Sequence, residues 1–438
     1  MSPILFLWTI AGVLISAVLS LVPALHIYNV AGFLILAISQ WGMFLPIEGL
    51  IFFFLGLVAG YAILNTIPSI FLSVPDDSTI FIVLPGQKYL LQRRGYEAVV
   101  LAGLGGLGGI AVLALLTPVA STWLPRIRAI VQPHLAWILW TIIAFMLISE
   151  WPKGADRAPA GLRRWWEGWR SLTAGLATFL LSGLLGLVLM VRSLVPAEVA
   201  YQNLLPAFIG LFAVPWVLQN LLTRTEIPPQ HFARSVDAGV GTVVRGTLAG
   251  ALGGLFAAFF PVVTGGIGGF LAGHATAQRD ERLFIISQGA SKVVYYVGGF
   301  LFFFVPGLQR VKGGLASMLS TIYSGTSPQL YLLAVGAVVL AGGLAFFLSL
   351  GLTRLMVALL SRVHYRWISL ATLGILLAIV LGMTGPAGLL ICAVATGIGL
   401  IPLLWGSRRM NCMGVLLLPI ALNMAGVGDV VAGWLGLL

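Results

Sequence analysis

Charge is scarce in this sequence. Of its 438 residues only 8% are Asp, Glu, Lys or Arg, while 59% are hydrophobic. A soluble domain carries roughly 25% charged residues, so this chain could not cover itself in water. That excludes a soluble enzyme, a nucleic-acid module and a disordered protein. Cysteine is nearly absent as well. Cys392 and Cys412 show no CxxC spacing, which removes a disulfide framework and a cysteine metal site. Asp76-Asp77 could hold a divalent ion, but no second acidic cluster completes such a site. Asp280-Glu281 sits between Arg279 and Arg282 and reads as a solvated turn. No P-loop, HExxH or GxSxG occurs, so neither ATP-driven transport within this chain nor hydrolysis is supported. No catalytic residue and no metal site is expected. Residues 3–25 read as a spanning helix rather than a cleavable signal, since a basic leading region is missing.

Apolar runs are abundant. At ~20 residues per crossing the chain supplies about 10–13 transmembrane or re-entrant helices, an all-α polytopic membrane protein. The runs fall near 3–25, 29–46, 49–72, 96–122, 131–150, 171–193, 203–222, 241–260, 283–306, 329–353, 367–385, 388–405 and 410–437. Two stretches, about 60–86 and 254–278, are crowded with Gly, Pro and small polar residues, which suits broken or re-entrant helices around an enclosed cavity. The net charge of +11 is read through the positive-inside rule. With loop 151–170 placed in the cytoplasm, 17 basic residues fall inside and 5 outside, while Arg245 and Lys292 lie within spans. The strip Leu162–Arg170 (LRRWWEGWR) adds an aromatic and basic interfacial anchor.

The two unusual stretches resemble each other. Gly56-x-x-x-Gly60 is followed by Pro68 and then Pro75-Asp76-Asp77-Ser78; Gly250-x-x-x-Gly254 is followed by Pro261 and Thr264-Gly265-Gly266. One GxxxG means only close packing. The same order of glycine pair, proline and polar kink in both halves is the pattern of a transporter with its site between repeats. The halves are taken as 1–170 and 171–438. Pro75 breaks a helix, and Asp76, Asp77 or Ser78 then caps a new one or lines a cavity. Asn65 and Thr66, just before Pro68, face the same kink. Thr264, Gly265 and Gly266 offer free backbone N–H groups to an anion. Ser287, Ser291 and Tyr295 share a helix face whose edge carries Gln288, Lys292 and Tyr296. A lysine nine residues into a span normally faces a polar interior. Asp76, Asp77, His274 and Lys292 are the candidates for ion or proton coupling; Arg245, Asn423 and Asp429 are weaker.

At these segments the chain resembles the large membrane subunit of tripartite tricarboxylate transporters (TctA), in its archaeal branch. The resemblance is carried by Pro68-Ser-Ile-Phe-Leu-Ser-Val-Pro75-Asp76-Asp77-Ser-Thr, Leu84-Pro85-Gly86 and Arg94-Gly95-Tyr96-Glu97. The second half adds Gly250-x-x-x-Gly254, Gly289-Ala-Ser-Lys292 and Leu308-Gln-Arg310-Val-Lys312-Gly313-Gly314-Leu315. Ser73 and Asp76 stand where the family has glycines around its proline.

The resemblance implies two repeats of opposite orientation with substrate between re-entrant tips. It also implies ion-coupled uptake of carboxylates, helped by a small membrane subunit and an extracytoplasmic binding protein. The expectation is therefore a plasma-membrane secondary transporter of a small organic anion, coupled to H⁺ or Na⁺ and needing no bound cofactor. The alternative is a translocase for polyprenyl phosphate or another lipid carrier. Partners are the bilayer and the anion or lipid phosphate, with no nucleic acid; a homodimer is left open.

Overall fold

The computed structural model describes residues 3–22, 46–74, 78–150, 161–195, 203–223, 227–232, 235–260, 263–278, 280–308, 314–320 and 322–438, with Ile27, Ala31 and Leu34. All regular structure among them is helical. Most of the span expected at 29–46 and the loop residues 151–160 lie outside the described residues.

Seven helices are long and apolar enough to cross a membrane among the described residues. The pair Arg409–Met424 and Gly428–Trp434, bent by 115°, makes an eighth if it is counted as one span. With this many apolar helices the protein is multi-pass, because only the bilayer supplies an apolar solvent for so many exposed Leu, Ile and Trp side chains.

The chain divides into two compact units. Unit 1 comprises Met1–Ala129 and Thr225–Ile368; unit 2 comprises Ile130–Arg224 and Ser369–Leu438. Unit 1 contains α1 (Ile4–Leu19), α2 (Ile47–Leu64), α3 (Thr66–Phe71), α4 (Val83–Leu91) and most of α5 (Gly95–Val131). Unit 2 takes up the chain with α6 (Leu135–Ile148), α7 (Leu162–Val191) and α8 (Leu205–Thr223). Unit 1 resumes with α9 (Val240–Phe259), α10 (Gly265–Ala275), α11 (Glu281–Val293), α12 (Gly314–Ser320) and α13 (Pro328–Arg362). Helix α14 (Tyr365–Trp405) is followed by α15 (Gly414–Met424) and α16 (Gly428–Trp434).

Both Gly/Pro-rich stretches are broken helices, as expected. In the first, α2 gives way to α3, which ends at Phe71, and α4 starts at Val83; in the second, α9 stops at Phe259 and α10 starts at Gly265. The expected boundary between the spans 367–385 and 388–405 is also present. Gly385 takes φ 69° and ψ −167°, a non-helical conformation that suits glycine, and Pro386 follows it. Three boundaries differ: the run expected at 410–437 is the pair bent by 115°, and two others shift. The strip Leu162–Arg170 is not separate from the next span but forms the first turns of α7, so its aromatic and basic side chains stand on a helix. Helix α5 runs unbroken through Pro118 and Pro125 to Val131, well past the expected end near 122. A proline in a helix costs one backbone bond and bends the ladder without ending it.

The core of unit 1 forms around α11, which is buried from Ile285 to Val293. Glycines set its spacing to its neighbours. Gly289 leaves no room for a Cβ against the Ala102 carbonyl of α5, and Gly105 of α5 leaves none against Ile286 of α11. On the other side, Gly250 and Gly254 of α9 approach the carbonyls of Ser287 and Ser291. Gly56 of α2 approaches the Thr9 carbonyl of α1, and Gly60 lies against the Ser16 hydroxyl. Both glycine pairs therefore serve close helix approach, where backbones pack directly and gain dispersion energy.

Gly289→Val should push α11 from α5 and lower stability by roughly 1–3 kcal/mol, read as a lower Tm in detergent. Gly343→Ala, where a Cβ meets open space on α13, should leave Tm unchanged or slightly raised.

Candidate functional site

The two broken stretches meet inside unit 1 at Lys292. This side chain is 1% exposed, and its Nζ donates to Asn65 Oδ1 at 3.0 Å. Asn65 is likewise 1% exposed and sits at the joint between α2 and α3. The Tyr61 ring lies 5.6 Å from Nζ, a cation–π distance, and Tyr296 packs edge-on against Tyr61 at 5.8 Å. A lysine from the second half of the sequence is thus held by an asparagine and a tyrosine from the first.

The start of α10 adds to the same place. Thr264 caps it, its Oγ1 accepting from Ile267 N at 3.4 Å, and Ser291 Oγ donates to the Gly265 carbonyl at 2.8 Å. A Cβ on Gly265 would come within 3.3 Å of Lys292 Cα and 3.1 Å of Tyr295 Cβ, so glycine lets the helix start beside the lysine. Helix N-termini carry partial positive charge, and so the ammonium and this terminus act in the same sense on a passing anion.

Polar atoms continue on both sides. Ser69 Oγ donates to the Asn65 carbonyl at 2.8 Å and lies 3.1 Å from Thr79 Oγ1, a hydroxyl pair that ties α3 to the chain after the break. Gln288, one turn before Lys292 and 3% exposed, has neither amide atom hydrogen-bonded. Gln278 Nε2 donates to Ser287 Oγ at 3.1 Å. Beyond it a cleft of about 340 Å³ opens between α4 and the α10–α11 turn, lined by Leu84, Pro85, Lys88, Gln278, Asp280, Glu281 and Phe284. Lys88 pairs with Glu281 at its rim.

Of the residues singled out from sequence, Asn65, Thr264, Gly265, Ser291 and Lys292 come together. Thr66, Ser78 and Gly266 are buried in the same unit. Pro75, Asp76 and Asp77 lie outside the described residues. His274 is elsewhere: it is exposed at the end of α10, its Nδ1 3.0 Å from the Phe270 carbonyl. Arg245 is exposed on α9, and Asn423 and Asp429 are exposed in unit 2. Sequence reasoning passed over Tyr61, which is an ordinary aromatic in an apolar run until tertiary packing sets it beside a cation. The Arg94-Gly95-Tyr96-Glu97 segment is held by its own polar contacts. Arg94 donates to both Glu97 oxygens at 2.7 and 2.6 Å, which holds its pKa above the ordinary arginine value. Gln230 binds Gly95 N and the Leu90 carbonyl, each at 2.9 Å.

The profile of the tripartite tricarboxylate transporter TctA family matches residues 6–414. The chain belongs to that family. It is accordingly the membrane subunit of a tricarboxylate-type transporter, a transport component rather than a catalyst by kinship. A relative, an uncharacterized protein of Methanocaldococcus jannaschii, is 25% identical over 418 residues, covering 94% of this chain and 97% of its own. No solved structure matches this TctA member.

Hydrogen bonds to charged groups contribute about 1.5–3 kcal/mol. Asn65→Leu should therefore lower thermal stability by an amount in that range, while Asn65→Asp, which still accepts from Lys292, should stay close to the parent. Equal melting of the leucine variant and the parent would remove Asn65 as the ammonium's partner.

Proposed function

We propose that this protein carries a small organic anion of the di- or tricarboxylate class across the plasma membrane, driven by coupled H⁺ or Na⁺. The observation that carries this reading is the buried Lys292–Asn65 contact beside the Thr264-capped start of α10. Substrate carboxylate would take the place of Asn65 as the acceptor of Lys292 and would also receive N–H groups at Gly265 and Gly266. Thr66, Ser78 and Ser291 would complete the polar lining. Binding energy comes from exchanging water for preorganised donors in a dry surround, where charge-assisted hydrogen bonds are strong.

Alternating access would rock one repeat against the other, with the broken helices as re-entrant tips. Coupling would lie with Asp76 or Asp77 after the first break, with Lys292 itself, or with His274. The 151–170 stretch would face the cytoplasm, and a small membrane subunit and an extracytoplasmic binding protein would complete the system, in keeping with the family's tripartite name.

A thermal-shift screen of purified protein against citrate, malate, succinate and alkyl or polyprenyl phosphates, at varied Na⁺ and pH, tests the substrate class. Ligand at about 100 times its Kd stabilises by about 2.7 kcal/mol. The expected result is a raised Tm with carboxylates, lost in Lys292→Met while the variant keeps its helical circular dichroism. Stabilisation by the phosphates alone would replace the carboxylate reading with lipid-carrier translocation. In proteoliposomes, Lys292→Met should abolish carboxylate uptake, and normal uptake by that variant would remove Lys292 from the site.

A further inference from the structure

Unit 2 buries a cation that the carboxylate site does not use. Arg409, one of the basic residues that sequence alone assigns to a membrane-flanking loop, is 7% exposed. Its Nη2 donates to the carbonyls of Leu211 at 3.1 Å and Phe212 at 2.7 Å, both in a π-helical turn (Ile209–Ala213) of α8. Its guanidinium carbon lies 4.9 Å from the Trp216 ring centroid. Nε and Nη1 are buried and have no hydrogen-bond acceptor, which leaves three N–H groups unmet.

Charge is unmet as well. Among the described residues no carboxylate forms an ion pair with Arg409. Among the described residues Glu150 is the buried acid of this unit, and its Oε1 accepts from Arg408 N at 2.6 Å and from Asn411 Nδ2 at 3.2 Å. Glu150, Arg408 and Arg409 together carry one net positive charge. A guanidinium does not escape burial by losing its proton, and an unpaired buried charge is strongly destabilising. The fully buried Met410, Cys412 and Met413 flank it in sequence and offer no charge.

We infer that Arg409 holds a buried monovalent anion of the halide class on Nε and Nη1, in a site separate from the one around Lys292. One net charge calls for one negative charge. A single guanidinium favours a weakly hydrated ion over sulfate or phosphate, whose desolvation it would not offset. Such an ion would lock α8 to the turn before α15, and the transporter would require it without moving it.

The test uses full-length protein in detergent, with sodium gluconate exchanged for chloride, bromide or sulfate at constant ionic strength. Chloride and bromide should raise Tm by roughly 3–5 °C over gluconate at saturating concentration, and sulfate should not. Arg409→Met should abolish the halide effect. A Tm that ignores halide in the parent, or a rise that persists in Arg409→Met, would overturn the proposal. If that variant does not fold, bromide-soaked crystals of the parent decide. An anomalous peak within hydrogen-bond distance of Arg409 Nε or Nη1 supports the site, and a bare guanidinium rejects it. Both readouts are independent of carboxylate binding, so neither stands or falls with Lys292.

Discussion

An ammonium taken out of water inside a membrane protein must be met by polar atoms, and unit 1 is arranged around that requirement. Lys292 lies on a helix too crowded for side chains on two sides. Glycines on α5, α9 and α11 itself bring the backbones together, and the lysine is left to face Asn65, Tyr61 and the start of α10. The breaks follow from the same requirement. A continuous α2 or α9 would keep its backbone groups paired along its own axis. Asn65, at the helical joint of α2 and α3, and the capped start of α10 both lie next to the charge.

Unit 2 faces a similar demand from arginine and meets it in part. Two carbonyls of a π-helical turn and a tryptophan face answer Arg409, while Glu150 Oε1 accepts from Arg408 and Asn411. Widened helical turns recur at functional sites because they present backbone acceptors that a regular helix conceals. Among the described residues the two units thus bury one cation each, with different backbone devices and different degrees of satisfaction.

Much of this was legible in the sequence. The low charge and long apolar runs set the class, and segment order around the two Gly/Pro-rich stretches pointed to the family that the profile match establishes. Lys292 stood out because an ionisable residue in an apolar helix is costly wherever it sits. Asn65, Thr264 and Gly265 were found because breaks show in composition. Other features were silent. Tyr61 has no marker that separates it from packing aromatics. Arg409 sits in an Arg-Arg pair that the positive-inside rule explains without remainder, so burial was not foreseen. The strip Leu162–Arg170 read as loop because its charges interrupt hydropathy, although charge at helix ends is compatible with helix.

Local chemistry is what the sequence by itself determined: which segments are apolar, where glycine and proline interrupt them, and which few charges have no watery place to go. Those are properties of single residues and near neighbours. Tertiary structure alone decided the pairing of those charges. Lys292 is 227 positions from Asn65, and Arg409 is 197 from Phe212. Such contacts depend on how helices pack, and helix packing is set by small residues whose partners are not written beside them.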